Sequence, residues 1–211
     1  MAELVLYTNP MSRGRIARWM LEEVGHPYRA EILAFGPAMK TPEYLALNPM
    51  GKVPTLLHGA VVVTEAAAIC AYLADAFPAT GLAPDIASPA RGAYYRWMFF
   101  AAGPLEQAVT DNAMGLSPQD PMQQGRMGYG SLARVLDTLE ALFADGRPHV
   151  LGDTFSAADV YLGSALGWGM FSGGIAPRPA FTSYVQHLRA RPAARRAAGI
   201  DDALIPPPPE G

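Results

Sequence analysis

Ser12 lies between a short apolar strand and the helix that follows it, where a hydroxyl group could take part in chemistry. The start of a helix attracts anions, because its backbone N–H groups lack partners and the helix dipole is positive there. A hydroxyl that donates a hydrogen bond at such a place can stabilise a thiolate or an oxyanion. The commoner role of such a serine is a helix cap. No Gly-x-Ser-x-Gly motif surrounds Ser12, so a hydrolase nucleophile is not indicated.

Pro54 lies inside a strand-like run, which is unusual because proline removes a donor from the hydrogen-bond ladder of a sheet. A cis bond between Val53 and Pro54 would turn the backbone N–H and C=O of Val53 outward, where they could pair with an extended peptide ligand. The spacing alone favours the other possibility, a trans proline that begins an edge strand.

Glu65 and Ala66 stand at the start of a further helix and could hold the two charges of an amino-acid head group. The free N–H groups of the helix start would bind the carboxylate, and the side chain of Glu65 would bind the ammonium group. In the alternative interpretation Glu65 only complements the helix dipole, which is worth about 0.3–1 kcal/mol.

Other candidates for chemistry are weaker. Lys40 and Lys52, the two lysines of the chain, lie in loops that flank a short helix and could meet a ligand carboxylate or remain solvated. Tyr7, at the end of the first strand near Ser12, is a possible second hydroxyl donor, although a tyrosine there is more often part of a core. Cys70 lies on the apolar side of its helix and is predicted to be a buried small hydrophobic residue.

The elements that must position these residues alternate between strand and helix over the first 78 residues. Apolar runs predict strands at residues 4–7, 28–32, 53–57 and 60–64, the last two joined by a tight hairpin at His58 and Gly59. Helical spacing and end signals predict helices at residues 17–24, 41–47 and 65–77. This β-α-β-α-β-β-α order predicts a mixed sheet with helices packed against it.

Only helical patterns follow a linker at residues 79–89 that is rich in Pro, Gly and Ala. Apolar stripes predict helices around residues 94–105, 132–142 and 181–188. Another begins at Ser156, where Asp159 replaces the usual Glu or Gln of a capping box. Residues 206–209 are prolines and are predicted to be extended. The predicted fold is therefore a small α/β domain followed by an all-α domain.

The composition excludes several classes of protein. Of the 211 residues, 50% are hydrophobic and 17% are charged, and the formal net charge is -3. These values are not those of a mainly disordered chain or of a nucleic-acid-binding protein with a basic stripe. A single cysteine and four scattered histidines argue against a disulfide framework and against a bound metal. Since no secretory signal or membrane span is visible, a cytoplasmic location without membrane or nucleic-acid partners is expected.

Taken in order, these motifs resemble those of the cytosolic glutathione S-transferases over nearly the whole chain. In the N-terminal part, the resemblance rests on Ser12, Arg18, residues 21–25 (LEEVG), residues 48–54 (NPMGKVP) and residues 64–69 (TEAAAI). In the helical part it rests on residues 155–159 (FSAAD) and 188–193 (LRARPA). Ser12 matches the serine of the bacterial, theta- and phi-like type. No single motif is decisive, but the ordered set is specific.

The resemblance implies a thioredoxin-like domain over residues 1–78 that binds glutathione as co-substrate, and a helical domain over residues 90–211 with the electrophile pocket. It also implies a homodimer. Val53, before a cis-Pro54, would pair with the cysteinyl backbone of glutathione.

The remaining contacts with glutathione are implied in the same way. Glu65 and the N–H of Ala66 would hold the γ-glutamyl end. Lys52, with Lys40 as a second candidate, would hold the glycyl end. The hydroxyl of Ser12 would donate to the glutathione sulfur, and Tyr7 is the second candidate for this donor.

One position departs from the family pattern, because members usually carry serine where this chain has Ala66. The missing hydroxyl removes a hydrogen bond worth ~1.5–3 kcal/mol if it is charge-assisted, so weaker glutathione binding is expected. The predicted activity is that of a glutathione transferase, which ionises the thiol for attack on a hydrophobic electrophile. The alternatives are a non-catalytic relative that binds glutathione or a protein partner, and a glutathione-dependent isomerase or reductase.

Overall fold

The computed structural model describes residues 2–205 and contains a four-stranded mixed sheet. Its strands are β1 (Leu4–Thr8), β2 (Arg29–Ile32), β3 (Thr55–His58) and β4 (Val61–Thr64). Their order in the sheet is β2-β1-β3-β4, with β1 parallel to β2 and antiparallel to β3, and with β3 and β4 antiparallel. The sheet with its helices is the predicted thioredoxin-like arrangement, and the α/β plus all-α fold class is confirmed.

The α-helices fall into two groups by their position in the chain, one interleaved with the strands and one after the last strand. The first group consists of α1 (Gly14–Val24), α2 (Pro42–Leu47) and α3 (Ala66–Ala76). The second comprises α4 (Ala90–Phe100), α5 (Glu106–Ala113), α6 (Pro121–Arg126), α7 (Leu132–Leu142), α8 (Ala157–Phe171), α9 (Pro179–Arg189) and α10 (Pro192–Asp202).

Local sequence explains where the helices around the sheet begin and end. In α1 the buried side chains Ala17, Met20 and Leu21 recur at helical spacing, which gives the helix one apolar face. Gly25 ends it in the left-handed conformation at φ 71°, and its N–H donates to the carbonyl of Leu21. Thr41 caps α2 as predicted, since its hydroxyl accepts a hydrogen bond from the N–H of Tyr44.

The chain divides into two compact units. Among the described residues, the first unit contains residues 2–80 and 190–205, and the second contains residues 81–189. Helix α10 therefore packs in the same unit as the sheet, on α1. The boundaries expected from the sequence, with domains at residues 1–78 and 90–211 and a linker at residues 79–89, stay a prediction.

The second unit is built around α8, which packs against α4 and α9. Ser156 and Asp159 form the predicted capping box at the start of α8. The Asp159 carboxylate also accepts hydrogen bonds from the N–H of Val150 and the hydroxyl of Tyr184. Burial raises the pKa of Asp159 to about 6, against the effect of these donors.

Several element boundaries differ from the sequence prediction. Strand β3 begins at Thr55 because the segment before it, including Pro54, does not join the sheet ladder. The hairpin turn is Gly59-Ala60, one residue later than predicted. The predicted helix at residues 94–105 is divided, since a π-helical segment at Ala101–Leu105 contains Pro104, which has no N–H to donate.

The sequence analysis predicted no helix after residues 181–188 and so missed α10, because a proline such as Pro192 commonly follows the end of a helix. Proline is also favoured in the first turn of a helix, and Pro192 occupies that place in α10. The proline run at residues 206–209 lies outside the described residues. None of the helices within residues 2–205 is both long and apolar enough to cross a membrane.

Candidate ligand-binding site

The register of the sheet brings three of the candidate segments to one edge. Tyr7, near the end of β1, pairs with Thr55 at the start of β3, and Thr55 pairs with Thr64 at the end of β4. At this edge, the loop that carries Ser12 follows β1. Val53 lies there two residues before β3 begins, and Glu65 is the residue after β4. The sheet thus places Ser12, Val53 and Glu65 at the same end of the first unit.

Ser12 is half-buried in the turn before α1, and its hydroxyl makes two hydrogen bonds. The Oγ donates to the backbone carbonyl of Asn9 at 2.7 Å and accepts from the N–H of Gly14 at 2.9 Å. The Asn9 side chain holds the same turn, because its Oδ1 accepts from the N–H of Met11 and its Nδ2 donates to the carbonyl of Leu33. Ser12 therefore caps the turn that leads into α1, and a bound ligand would have to compete for its single hydroxyl proton.

Gly14 allows α1 to begin close against β1. A Cβ atom at this position would collide with the Oγ1 of Thr8 and lie 3.0 Å from the Oγ of Ser12. Thr8 is fully buried, and its Oγ1 has no hydrogen-bond partner among the described residues. The absence of a side chain at Gly14 thus sets the distance between the Ser12 turn and the sheet.

The Val53–Pro54 peptide bond is cis, as the family resemblance implies. The expectation from spacing alone, a trans proline at the start of an edge strand, was wrong. The preceding carbonyl of Lys52 is held by two donors, the hydroxyl of Tyr44 at 2.6 Å and the Nδ2 of Asn48 at 2.8 Å. The sequence analysis did not identify Tyr44 and Asn48 as the residues that hold this carbonyl. The only feature of the sequence that pointed to them was the turn at Asn48-Pro49.

Glu65 adopts an unusual backbone conformation at the start of α3. With φ 66° and ψ 120°, it is the only non-glycine residue of the described chain with a positive φ. Its exposed side chain does not cap the helix, and the first turn of α3 contains no acidic residue. The N–H groups at this helix start, beginning with that of buried Ala66, could hold a carboxylate beside the Glu65 side chain.

The two lysines differ in their surroundings. The Nζ of Lys40 donates to the carbonyls of Met50 and Gly51, each at 3.0 Å, and so holds the turn before Val53. Lys52 is exposed and forms no ion pair or side-chain hydrogen bond with any described residue. Of the two, Lys52 is therefore the ammonium group that is available to a ligand carboxylate.

Tyr7 and Cys70 have environments typical of core residues. The ring of Tyr7 is half-buried and contacts the ring of Tyr44, with 5.6 Å between the ring centroids. Within residues 2–205 the Tyr7 hydroxyl has no hydrogen-bond partner, so it remains a possible donor. Cys70 is fully buried, and burial raises the pKa of its thiol far above the ordinary value.

Comparisons with known proteins agree over both parts of the chain. Residues 11–76 match the family described as glutathione S-transferase, N-terminal domain, and residues 99–190 match glutathione S-transferase, C-terminal domain. Glutathione S-transferase 3 of Zea mays is 31% identical over 99% of this chain and 98% of its own length. A glutathione S-transferase of Xanthomonas campestris is 34% identical over 62% of this chain, and the match spans 65% of that relative.

A solved structure shows the same fold. The chain is similar to a glutathione transferase homologue from Sulfitobacter that was crystallised with bound glutathione. The TM-score is 0.74 at 28% sequence identity, over 97% of this chain and 100% of that one.

Proposed function

Because the chain belongs to the glutathione S-transferase family, we propose that it binds glutathione at the sheet edge around Ser12, Val53 and Glu65. In this proposal the protein ionises the glutathione thiol, and the thiolate attacks a hydrophobic electrophile. The observation that carries the proposal is the register of β1, β3 and β4, which gathers the segments that carry these residues at one edge. The bound glutathione of the Sulfitobacter homologue supports the choice of ligand.

Three groups of contacts would hold glutathione. The backbone N–H and C=O of Val53 would pair with the cysteinyl residue, as an added strand pairs with a sheet edge. The N–H of Ala66 would bind the γ-glutamyl carboxylate, and the Glu65 carboxylate would bind the ammonium group. Lys52 would bind the glycyl carboxylate. Lys40 would act mainly by holding the turn at Gly51, since two of its donors are already used there.

Ser12 would stabilise the thiolate. A free thiol has a pKa of ~8.5, so little thiolate exists at neutral pH without help from the protein. The hydroxyl of Ser12 would turn from the carbonyl of Asn9 to the sulfur, and the positive end of the α1 dipole would favour the same ionised form. Tyr7 is the alternative donor.

The remaining assignments extend this proposal to the rest of the protein. The helical domain, residues 90–211 in the expected division of the chain, would supply the pocket for the electrophile. The protein would act as a homodimer, as expected from the family resemblance, and would need glutathione as co-substrate but no metal.

The second candidate function is glutathione binding without thiol activation. It is favoured by the Ser12 hydroxyl, which already donates to Asn9, and by the alanine at position 66, which offers a γ-glutamyl carboxylate no hydroxyl. The two candidates differ in one observable property, which is the ionisation of bound glutathione.

The test is a pH titration of the ultraviolet thiolate absorbance of glutathione bound to the wild type and to Ser12→Ala. We expect the wild type to show thiolate near neutral pH and the variant to shift toward the pKa of free glutathione. If glutathione binds with coincident curves and no thiolate at neutral pH, the binding-only function is correct. If thiolate forms equally in both proteins, Tyr7 becomes the donor to test, by Tyr7→Phe. If glutathione does not bind, the proposal is wrong.

A further inference from the structure

Arg15, on the first turn of α1, joins the loop that carries Ser12 to helix α10. Its Nη1 donates to the backbone carbonyl of Pro10 at 3.2 Å, and its Nη2 donates to the Oδ1 of Asp202 at 2.7 Å. Asp202 is the last residue of α10. One guanidinium group thus holds a backbone atom two residues before Ser12 and a carboxylate of the last described helix.

Helix α10 lies antiparallel to α1, so this contact is part of a longer interface. Four ion pairs connect the two helices and the residue before α10: Arg15 with Asp202, Arg18 with Asp201, Arg196 with Glu22, and Arg191 with Glu23. The residue numbers rise along α1 while those of the partners fall. The C-terminal end of α10 therefore lies beside the start of α1, next to the Ser12 turn.

The Arg15 contact differs from the other three in what it holds. Arg196 and Arg191 bind Glu22 and Glu23, at the end of α1 remote from Ser12. Arg15 binds the carbonyl of Pro10, inside the turn whose Asn9 carbonyl accepts the Ser12 hydroxyl. Because Pro10 is held in place, the Asn9 carbonyl and the Ser12 hydroxyl can point in fewer directions.

We propose that Arg15, oriented by Asp202, is a positioning residue that holds the Ser12 turn in the geometry needed to stabilise the glutathione thiolate. This inference rests on the proposed function, because it assigns a purpose to the geometry of Ser12. Through Asp202, only the C-terminal end of α10 supports the Ser12 turn, and it does so without touching the substrate.

The experiment compares Arg15→Ala and Asp202→Ala with Arg196→Ala, in the full-length chain. Arg196→Ala is the matched control, because it removes an ion pair between the same two helices at the end remote from Ser12. Asp202→Glu keeps the carboxylate and serves as the conservative variant. Two properties are measured in each protein: hydrogen exchange of the backbone amides of residues 11–15 without ligand, and the apparent thiol pKa of bound glutathione.

In Arg15→Ala and Asp202→Ala we expect faster exchange of these amides and a higher thiol pKa. The value of kcat/KM with glutathione and 1-chloro-2,4-dinitrobenzene should fall about threefold to tenfold at neutral pH, as expected when a catalytic group loses its orientation. Glutathione affinity at mildly acidic pH, where the thiol is protonated, should stay as in the wild type. Asp202→Glu should restore most of the activity, and Arg196→Ala should change none of these values.

Two results would overturn the inference. One is a wild-type rate of exchange and thiol pKa in Arg15→Ala. The other is an equal change in Arg196→Ala, which would assign the effect to general loosening of the two helices. Failure of the proposed function looks different, because bound glutathione would then stay protonated in the wild type while Arg15→Ala still loosened the turn.

Discussion

The hydroxyl of Ser12 donates to the backbone carbonyl of Asn9 at 2.7 Å, and the same oxygen accepts the N–H of Gly14. Ser12 is therefore both the capping residue of the turn before α1 and the proposed donor to a thiolate. Both roles use the hydroxyl group of Ser12. Capping needs a lone pair on its oxygen, which accepts from the N–H of Gly14, whereas thiol activation needs its proton, which is donated to the carbonyl of Asn9. Replacing Ser12 should therefore lower both the free energy of unfolding and kcat, and the two losses should be independent of each other.

Ser12→Ala should lower the free energy of unfolding by about 0.5–2 kcal/mol, the usual cost of a lost cap. It should also lower kcat by about 10²–10³, the usual cost of one donor to a developing anion. Ser131→Ala is the control, because Ser131 caps α7 by accepting the N–H of Arg134. It should lose similar stability in denaturant unfolding with no loss of rate. A rate loss in Ser131→Ala as large as that in Ser12→Ala would refute the separation.

Glu65→Gly should change stability and binding in opposite directions. A positive φ strains a residue with a side chain by about 1–2 kcal/mol, and glycine adopts it freely. After the larger entropy of glycine in the unfolded chain is subtracted, the variant should gain up to about 1 kcal/mol in unfolding free energy. Glutathione affinity measured by calorimetry should fall about tenfold or more, because the ammonium group loses a charged acceptor.

The matched control for this backbone effect is Glu43→Gly in the first turn of α2, where the residue is helical. Glycine there should cost about 1 kcal/mol of stability and leave glutathione binding unchanged. If Glu65→Gly instead lowered the free energy of unfolding, the positive φ of Glu65 would not strain the folded protein.

Ala66→Ser should tighten glutathione binding. Serine at the start of α3 would offer a hydroxyl beside the N–H groups proposed to hold the γ-glutamyl carboxylate. A hydrogen bond to a charged group contributes ~1.5 kcal/mol at the lower end of its range, which corresponds to about tenfold in affinity. Ala68→Ser is the control, because Ala68 is exposed on the same turn. Equal affinities for Ala66→Ser and the wild type would show that a hydroxyl at position 66 makes no hydrogen bond with the γ-glutamyl carboxylate.

Local signals in the sequence were sufficient for most elements around the site. Gly25 ends α1 and Thr41 caps α2 because both effects depend on residues within a few positions of each other. The same locality explains the capping box of Ser156 and Asp159. Helix α10 was missed because Pro192 is compatible with the end of one helix and the start of the next, and neighbouring residues do not distinguish the two.

The geometry of the candidate site depends on contacts that sequence spacing does not contain. The segment before the cis Val53–Pro54 bond is held by Tyr44 and Asn48, which bind the Lys52 carbonyl from a neighbouring helix and turn. The family resemblance implied the cis bond, whereas local patterns favoured trans. Similarly, nothing near Arg15 in the sequence indicates that its partner is Asp202, 187 residues away.

The ion pair between Arg18 and Asp201 should dominate the stability of the contact between α1 and α10. Its side chains are only 2% and 1% exposed, and the Nε of Arg18 lies 2.8 Å from the Oδ1 of Asp201. Arg18 also donates to the hydroxyl of Tyr28 at 3.2 Å. Arg18→Met would leave a buried carboxylate without its cation, and Asp201→Leu would leave a buried guanidinium without its anion. Each should cost about 3–5 kcal/mol in denaturant unfolding.

The double variant Arg18→Met/Asp201→Leu should be more stable than either single variant, because neither side chain then leaves an uncompensated charge. Arg29→Met is the exposed counterpart. Arg29 pairs with Glu3 where the two side chains are 52% and 67% exposed, so its loss should cost less than about 1 kcal/mol. Additive losses in the double variant would show that the two charges do not stabilise each other. The cost of each single variant would then come from its other contacts, such as the hydrogen bond from Arg18 to Tyr28.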